Sequence, residues 1–385
     1  MKKIYLAAPL LLALAAASCT KSEVLETNSG EIMFNVVANK ATKATAIYDN
    51  NKLPEDFYVY AISNGATYID GDLIKKTADG WVNQSGTRFW PKANVDFYAL
   101  RNADKFDWNV ASPAVPKFEF TVASTVADQK DLLYSVRKDE APRTDPDANN
   151  PVSLNFRHAL SQIVFQAKNT NPNIYVRVEG VKLANVYGTG TFTLPDVNTD
   201  NNIKDEPSTR PGDAAGWGTW TSPLTGDLQT YEIRFTAVEL AGDQTNPDVK
   251  ALGTATTDAM MLIPQVTEAW VPQDEGSNAT TDSYFLVKCA IWNVAGDAYE
   301  NGDVVVWGDE STGTLETAWA AIPASFNWEQ GHKYIYTFIF GEGGGYIPGD
   351  NPDPNPTLIP VGFDVTVDDF VVVDNDIDLD PNAGA

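Results

Sequence analysis

The sequence predicts an all-β protein made of sandwiches or barrels. Short runs rich in β-branched and aromatic residues recur along the chain, and clusters of Gly, Pro, Asn and Asp separate them, as at residues 63–65 and 350–356. No segment keeps a helical period for more than a few turns. Many short strands joined by such turns are typical of sheets that pack face to face.

The predicted strands form two groups on either side of a polar segment. Those before it are residues 32–37, 57–62, 95–100 and 117–122. Those after it are residues 162–167, 175–183, 231–238, 260–263, 283–292, 304–307, 334–340 and 361–373. The polar segment, residues 139–151, has several prolines and almost no apolar content, so we predict an exposed linker. A second polar stretch, residues 196–218, is expected to be a loop within the second half.

The N-terminus has the pattern of an exported protein. Lys2 and Lys3 precede an apolar run over residues 4–17 that ends in small residues before Cys19. This run is shorter than the roughly 20 residues that span a bilayer, so we predict a signal peptide over residues 1–18. Residues 14–19 resemble a bacterial lipobox, which predicts lipidation of Cys19; ordinary secretory cleavage beside an incidental cysteine is the alternative. Residues 19–30 are then expected to be a flexible tether.

The chain is strongly acidic, which excludes one class of partner. Its formal charge is −25, and removal of Lys2 and Lys3 with the signal peptide lowers this by two, to −27. Such a charge repels phosphate backbones and anionic lipid surfaces, so we expect no nucleic-acid partner.

Cysteine and histidine are too scarce for the common catalytic and zinc sites. Cys289 lies in a strand-like run, which predicts a buried, unreactive thiol, and with Cys19 used for the anchor no intrachain disulfide is expected. His158 and His332 have no catalytic motif around them, so packed or capping roles are predicted. One Cys and two distant His cannot close a tetrahedral zinc site. We therefore predict no catalysis, no cofactor and no metal.

Acidic residues leave one enzymatic alternative open. The 52 Asp and Glu make it certain that some pairs lie at separations suited to glycoside hydrolysis, although abundance is not a signal. Four alternating aspartates near the C-terminus have the spacing of calcium ligands: Asp374, Asp376, Asp378 and Asp380. Leu379 stands where such a loop needs Gly, and no bidentate Glu follows, so a solvated acidic tail is predicted instead.

Exposed tryptophans would indicate a glycan-binding protein. Most aromatic residues alternate with apolar strand residues and are expected in the core. Trp217 and Trp220 lie in a Gly-rich loop and are predicted to be the exposed pair that could stack on a sugar. An outer-membrane glycan-binding lipoprotein is therefore the second functional hypothesis.

Five short motifs follow one another along most of the chain. They are Thr-Lys-Ala at 42–44, Phe-Trp-Pro at 89–91 leading to Val-Asp-Phe-Tyr-Ala at 95–99, the run from 153 to 165, Trp-Glu-Gln-Gly-His-Lys-Tyr at 328–334, and Val-Thr-Val-Asp-Asp-Phe at 365–370. In this order they resemble the fimbrillin family, the type V pilins of Bacteroidales. Phe370 departs from the pattern, since the family usually has Trp there.

The resemblance implies two tandem transthyretin-like β-sandwich domains. We expect an N-terminal domain over residues 31–152 and a C-terminal domain with an acidic tail over residues 153–385. It also implies export as a lipoprotein to the outer membrane, trimming by a trypsin-like protease, and assembly with other pilin subunits into surface fimbriae that bind a host or bacterial receptor. Whether the subunit forms shaft, anchor or tip stays open.

In this family a first strand is cut away before assembly. The matching run here carries Ile32, Phe34 and Val36 on one face, and Lys40 and Lys43 follow it as trypsin-like cleavage sites. Loss of this strand would uncover an apolar groove and an unpaired sheet edge.

A strand near the C-terminus is the predicted replacement. It places an apolar set on one face: Val361, Phe363, Val365 and Val367. We predict that this donor strand of one subunit fills the groove of the next. The alternative is that both segments are permanent strands of their own sandwiches.

Overall fold

The computed structural model describes most of the chain between residues 27 and 369. The described residues are 27–37, 55–78, 80–103, 116–144, 150–199, 217–221, 224, 226–254, 257–271, 279–293, 299–300, 303–311, 314–341 and 362–369. Within these ranges the regular structure is β-strand apart from one 3₁₀ turn, Val126–Asp128, so the predicted all-β class is confirmed. None of the described segments forms a helix of the length and hydropathy that a membrane crossing requires.

Among the described residues, ten strands precede residue 156. They are β1 (Thr27–Glu31), β2 (Phe34–Val37), β3 (Asp56–Ser63), β4 (Ala66–Thr77), β5 (Gly80–Asn83), β6 (Phe89–Pro91), β7 (Val95–Arg101), β8 (Lys117–Thr121), β9 (Leu133–Glu140) and β10 (Val152–Asn155). The turn between β3 and β4 has positive φ at Asn64 (52°) and Gly65 (74°), as the predicted Asn-Gly turn requires.

Fifteen further strands follow within the described ranges. They are β11 (Arg157–His158), β12 (Ser161–Asn169), β13 (Ile174–Tyr187), β14 (Thr189–Thr193), β15 (Thr219–Trp220), β16 (Leu228–Ala241), β17 (Lys250–Leu252), β18 (Met260–Leu262), β19 (Tyr284–Asn293), β20 (Val305–Trp307), β21 (Asp309–Ser311), β22 (Thr314–Glu316), β23 (Ala318–Pro323), β24 (His332–Phe340) and β25 (Gly362–Asp369).

The N-terminal half is organised around a six-stranded sheet in the order β11-β9-β7-β3-β4-β5. Successive side chains of a strand point to opposite faces, and both faces of this sheet are buried. Val59 and Phe97 lie in a small apolar cluster on one face, whereas Tyr60 and Tyr98 belong to the large cluster on the other. The small cluster is closed by strands of two two-stranded sheets, β2 with β10 and β1 with β6.

The C-terminal half has two main sheets. One has the order β17-β12-β24-β25, with β18 also on β12, and the other has the order β16-β13-β19-β20, with β23 also on β19. Their alternate apolar residues meet in the large cluster, where Phe285 packs edge-to-face on Phe338 at 5.3 Å between ring centroids.

The two halves share contacts across the predicted division. β8 pairs with β14, and the large cluster contains residues of both halves, including Tyr60, Leu100 and Tyr336. The boundary expected between residues 152 and 153 falls inside β10, whose Val152 and Leu154 pack in the small cluster. The division into two transthyretin-like domains stays a prediction.

Two predicted connecting segments contain ordered structure. β1 covers the end of the tether expected over residues 19–30, and Gly30 is buried there, so this end belongs to the fold. β9 extends into the start of the linker expected over residues 139–151, and β14 and β15 flank the loop expected over residues 196–218.

Candidate functional site

The first candidate feature is the apolar side of the N-terminal strand region. Ile32, Phe34 and Val36 are 4%, 6% and 7% exposed, and all three belong to the small cluster. The three alternating residues are thus buried together, although β2 itself begins only at Phe34 and Ile32 precedes it.

Phe34 has the most specific surroundings of the three. Its ring meets Phe97 edge-to-face at 5.6 Å and Phe57 edge-to-face at 6.4 Å between centroids. Trp90 also packs edge-to-face on Phe97, at 5.7 Å between ring centroids. Such pairs favour an aromatic ring over an aliphatic side chain of the same area, so this pocket is shaped for a ring.

The main chain of β2 has one strand neighbour among the described residues. β2 pairs in parallel with β10, with Phe34 opposite Val152 and Val36 opposite Leu154. The amide of Val152 donates to the carbonyl oxygen of Met33 at 2.8 Å. A strand held by one short ladder can leave with fewer broken hydrogen bonds than a strand in the middle of a sheet.

Glu140 and Arg143 form a short strap beside the chain that leads into β2. Arg143 donates to Glu140 at 2.6 Å and to the carbonyl oxygen of Asn150 at 2.5 Å, and its guanidinium lies 5.0 Å from the centre of the Trp90 ring. The main chain of Arg143 also abuts Gly30, which has no room for a Cβ atom. The strap therefore holds the chain that leads into β2.

The second candidate feature is β25, at one end of its sheet. It pairs antiparallel with β24, so that Phe363, Val365 and Val367 lie opposite Phe338, Tyr336 and Tyr334. All three β24 residues are buried in the large cluster. Val365 is nevertheless 43% exposed, so the core side of β25 is incompletely covered at this position.

Comparison with known proteins identifies the family. A sequence profile described as fimbrillin-like matches residues 40–352, which is most of the chain. The chain belongs to the fimbrillin-like family. No curated protein matches the sequence.

Several solved structures resemble this fimbrillin-like chain. A fimbrial protein from Bacteroides vulgatus has 15% identity and a TM-score of 0.49, covering 89% of this chain and 99% of its own. A protein from Bacteroides uniformis that is provisionally assigned to cell adhesion has 14% identity and a TM-score of 0.42, over 89% and 98% of the two chains. One of the same description from Parabacteroides distasonis has 12% identity and a TM-score of 0.46, over 91% and 99%.

The two loop tryptophans are packed more closely than the sequence indicated. The Trp220 indole N–H donates to the carbonyl oxygen of Ala159 at 2.7 Å, and its ring lies 4.9 Å from that of Phe192. The Trp217 ring lies under the guanidinium of Arg157 at 4.6 Å. Both side chains are partly buried, so they are less exposed than the sequence predicts, and glycan contact stays a prediction.

The thiol and the imidazoles occupy structural positions in this fimbrillin-like chain. Cys289 is fully buried, and burial raises the pKa of its thiol to about 12, which keeps the thiol protonated. His158 is buried with its Nδ1 atom 2.5 Å from Asp131, and His332 lies in β24 with its Nδ1 atom 3.1 Å from the carbonyl oxygen of Gln330. The packed roles predicted for both histidines agree with these contacts.

Other predicted sites lie outside the described residues. These are Cys19, Lys40, Lys43, Val361 and the aspartates from Asp374 to Asp380, together with the side chains of Phe363 and Val367. Within the described ranges, no group of three His, Cys, Asp or Glu residues is placed to hold a metal ion.

Sequence reasoning missed the neighbours of the first strand. Val152 and Leu154 alternate with polar residues in β10, and this period of two was a usable signal. The strap of Arg143 and Glu140 had no such signal, since a polar, proline-containing stretch favours a loop without showing what the loop contacts.

Proposed function

We propose that this fimbrillin-like protein is a structural subunit of surface fimbriae that supports adhesion and assembles by donor-strand addition. In this proposal the precursor is lipidated at Cys19 and exported to the outer membrane, and a trypsin-like protease cuts after Lys40 or Lys43. The released first strand leaves a groove that β25 of another subunit fills. The protein acts as a building unit, without catalysis.

The burial of Ile32, Phe34 and Val36 beside the short β2–β10 ladder carries this proposal. Exposing three large apolar side chains costs roughly 5 to 9 kcal/mol before relaxation, at about 1.5 to 3 kcal/mol for each. An empty groove is therefore unfavourable in a monomer, and a strand with matching residues relieves it. Family membership and the partly exposed Val365 of β25 support the same scheme.

Controlled proteolysis of the purified protein tests the proposal. Trypsin cleavage after Lys40 or Lys43 should yield polymers, measured by light scattering and electron microscopy. Val365→Asp should block polymer formation, because a carboxylate would enter an apolar groove.

Thr366→Asp is the matched control for the same charge on the same strand. Thr366 lies opposite Ile335, which is outside the core cluster, and it is exposed. We expect this variant to polymerise like the wild type. If cleaved wild type stays monomeric, or if both aspartate variants polymerise equally well, donor-strand addition is wrong.

A further inference from the structure

Two distant segments of the chain carry the same apolar spacing. In the first, Ile32, Phe34 and Val36 alternate with Met33 and Asn35. In the second, Val361, Phe363 and Val365 alternate with Gly362 and Asp364. Each segment thus has a phenylalanine with a β-branched residue two positions before it and two positions after it.

The groove that the first segment would leave favours a phenylalanine over a valine at one position, the site of Phe34. The site of Phe34 is walled by the edge-to-face rings of Phe57 and Phe97. A valine in that place would lose both ring contacts and leave a cavity, whereas a phenylalanine would restore them. The pocket of Phe34 is therefore the position that separates one strand register from another.

Register slips have different consequences at this groove. A slip by one residue turns the whole apolar set to the wrong side of the strand. A slip by two keeps the apolar side inward but puts Val361 or Val365 into the ring pocket, with Phe363 where a smaller side chain was. Only one register matches all three positions.

We propose that Phe363 of a second copy of this chain occupies the Phe34 pocket and sets the register of the incoming strand. Val361 and Val365 then fill the two places beside it. Since the spacing is symmetric about the ring, the same assignment holds whichever way the incoming strand runs. This inference rests on donor-strand addition and adds the residue that determines its register.

Disulfide mapping across the subunit boundary can locate the register. Ser153 pairs with Asn35 in the β2–β10 ladder and is exposed, so Ser153→Cys provides a thiol beside the groove. On the incoming strand, Gly362→Cys, Asp364→Cys and Thr366→Cys are made one at a time, in a background of Cys19→Ser. Neighbouring strand positions lie within the Cα separation that a disulfide allows. Cys289 is buried and does not compete.

The decisive comparison moves the ring without changing the composition. Phe363→Val combined with Val365→Phe keeps a phenylalanine flanked by valines at 363 and 367 but shifts it by two residues. If the ring sets the register, the cysteine that crosslinks to position 153 must move two residues toward the C-terminus in this variant. In the wild-type strand the expected crosslinking partner is position 362 or position 364, depending on the direction in which the incoming strand runs. Crosslinking of the same cysteine in both donors would overturn the proposal.

The outcomes separate this inference from the proposed function. If cleaved protein forms no polymer with any donor, donor-strand addition itself fails. If polymers form but do not crosslink, their dissociation rates decide. Phe363→Ala should dissociate at least about tenfold faster than Val367→Ala, because it leaves the larger cavity. Equal dissociation rates would then overturn the register assignment. Circular dichroism of each uncleaved monomer confirms that the variants are folded.

Discussion

Gly30 lies against the main chain of Arg143 so closely that a Cβ atom on residue 30 would overlap the Arg143 carbonyl oxygen. Gly30 lies in β1 and Arg143 follows β9, so the two residues come from opposite ends of the N-terminal half. The contact ties the chain that leads into β2 to the strap formed by Glu140 and Arg143.

Gly30→Ala should therefore destabilise the N-terminal region. A main-chain atom cannot move aside as a flexible side chain can, and overpacking of this kind costs about 1 to 3 kcal/mol of unfolding free energy. We expect a lower urea midpoint. We also expect faster hydrogen exchange at the Ile32 amide, which donates to the carbonyl oxygen of Arg88 at 2.7 Å.

Asn35→Ala is a suitable control in the same region, since Asn35 is partly exposed and adds no atom near the strap. It should change the unfolding free energy by less than about 0.5 kcal/mol. Equal effects of the two substitutions would show that the close approach of Gly30 and Arg143 has no energetic consequence.

The burial of Cys289 predicts a loss of stability at alkaline pH. Its pKa is raised from 9.0 to about 12 by burial, so the unfolded thiol ionises first. The stabilisation of the folded state by the protonated thiol is complete below pH 9. It is lost as the pH rises toward 12, by about 1.4 kcal/mol of unfolding free energy per pH unit. Burial raises the pKa of Tyr231 and Tyr334 to about 12 as well, and these groups add to the same trend.

Urea titrations at pH 8, 9, 10 and 11 measure this dependence. Cys289→Ala leaves a cavity and lowers the stability at every pH, but it should flatten the decline between pH 9 and 11. An unchanged decline would mean that the thiol does not ionise on unfolding. In the folded wild type at pH 8, an alkylating reagent should leave Cys289 unmodified until denaturant is added.

The alternation and composition of short segments predicted which side chains are buried together. The alternation of Ile32, Phe34 and Val36 shows which residues share a side, because successive strand residues point to opposite faces. The apolar run around Cys289 likewise predicted its burial. Period and composition were sufficient for Phe34, Val36 and Cys289 because the strands that hold them are paired and have a buried face.

Long-range contacts could not be predicted in the same way. The parallel ladder between β2 and β10 and the approach of Gly30 to Arg143 join segments far apart in sequence. The tryptophans show the same limit. A Gly-rich neighbourhood favours an exposed loop, but Arg157 and Ala159 come from another part of the chain and cover Trp217 and Trp220. Those partners are fixed by the fold.

We expect Trp220 to stabilise the fold, so its substitution should lower the unfolding free energy. Trp220→Phe keeps most of the packing on Phe192 but removes the donor to the Ala159 carbonyl oxygen, which should cost about 1 kcal/mol. Trp220→Ala also removes the ring, which should raise the loss to about 3 kcal/mol or more. Thermal denaturation measures both. A folded Trp220→Ala variant with unchanged stability and lost glycan binding would instead favour the glycan-binding hypothesis.

A buried polar network joins the six-stranded sheet to the C-terminal half, and it predicts opposite outcomes for two similar substitutions. The Tyr134 hydroxyl, on β9, accepts a hydrogen bond from the Gly218 amide at 2.9 Å and lies 3.3 Å from Gln330 Oε1, while the Gln330 amide donates to the Gly218 carbonyl oxygen at 2.6 Å. Tyr134→Phe leaves the buried Gly218 N–H without its acceptor, so we expect a loss of about 1 to 3 kcal/mol of unfolding free energy.

Tyr231→Phe is the matched control. Tyr231 is equally buried, but its hydroxyl has no hydrogen-bond partner among the described residues, so this substitution should be neutral or slightly stabilising. Urea midpoints of the two variants make the comparison directly, since the same atom is removed in each. If both shift the midpoint equally, the network between Tyr134, Gly218 and Gln330 does not stabilise the junction of the two halves.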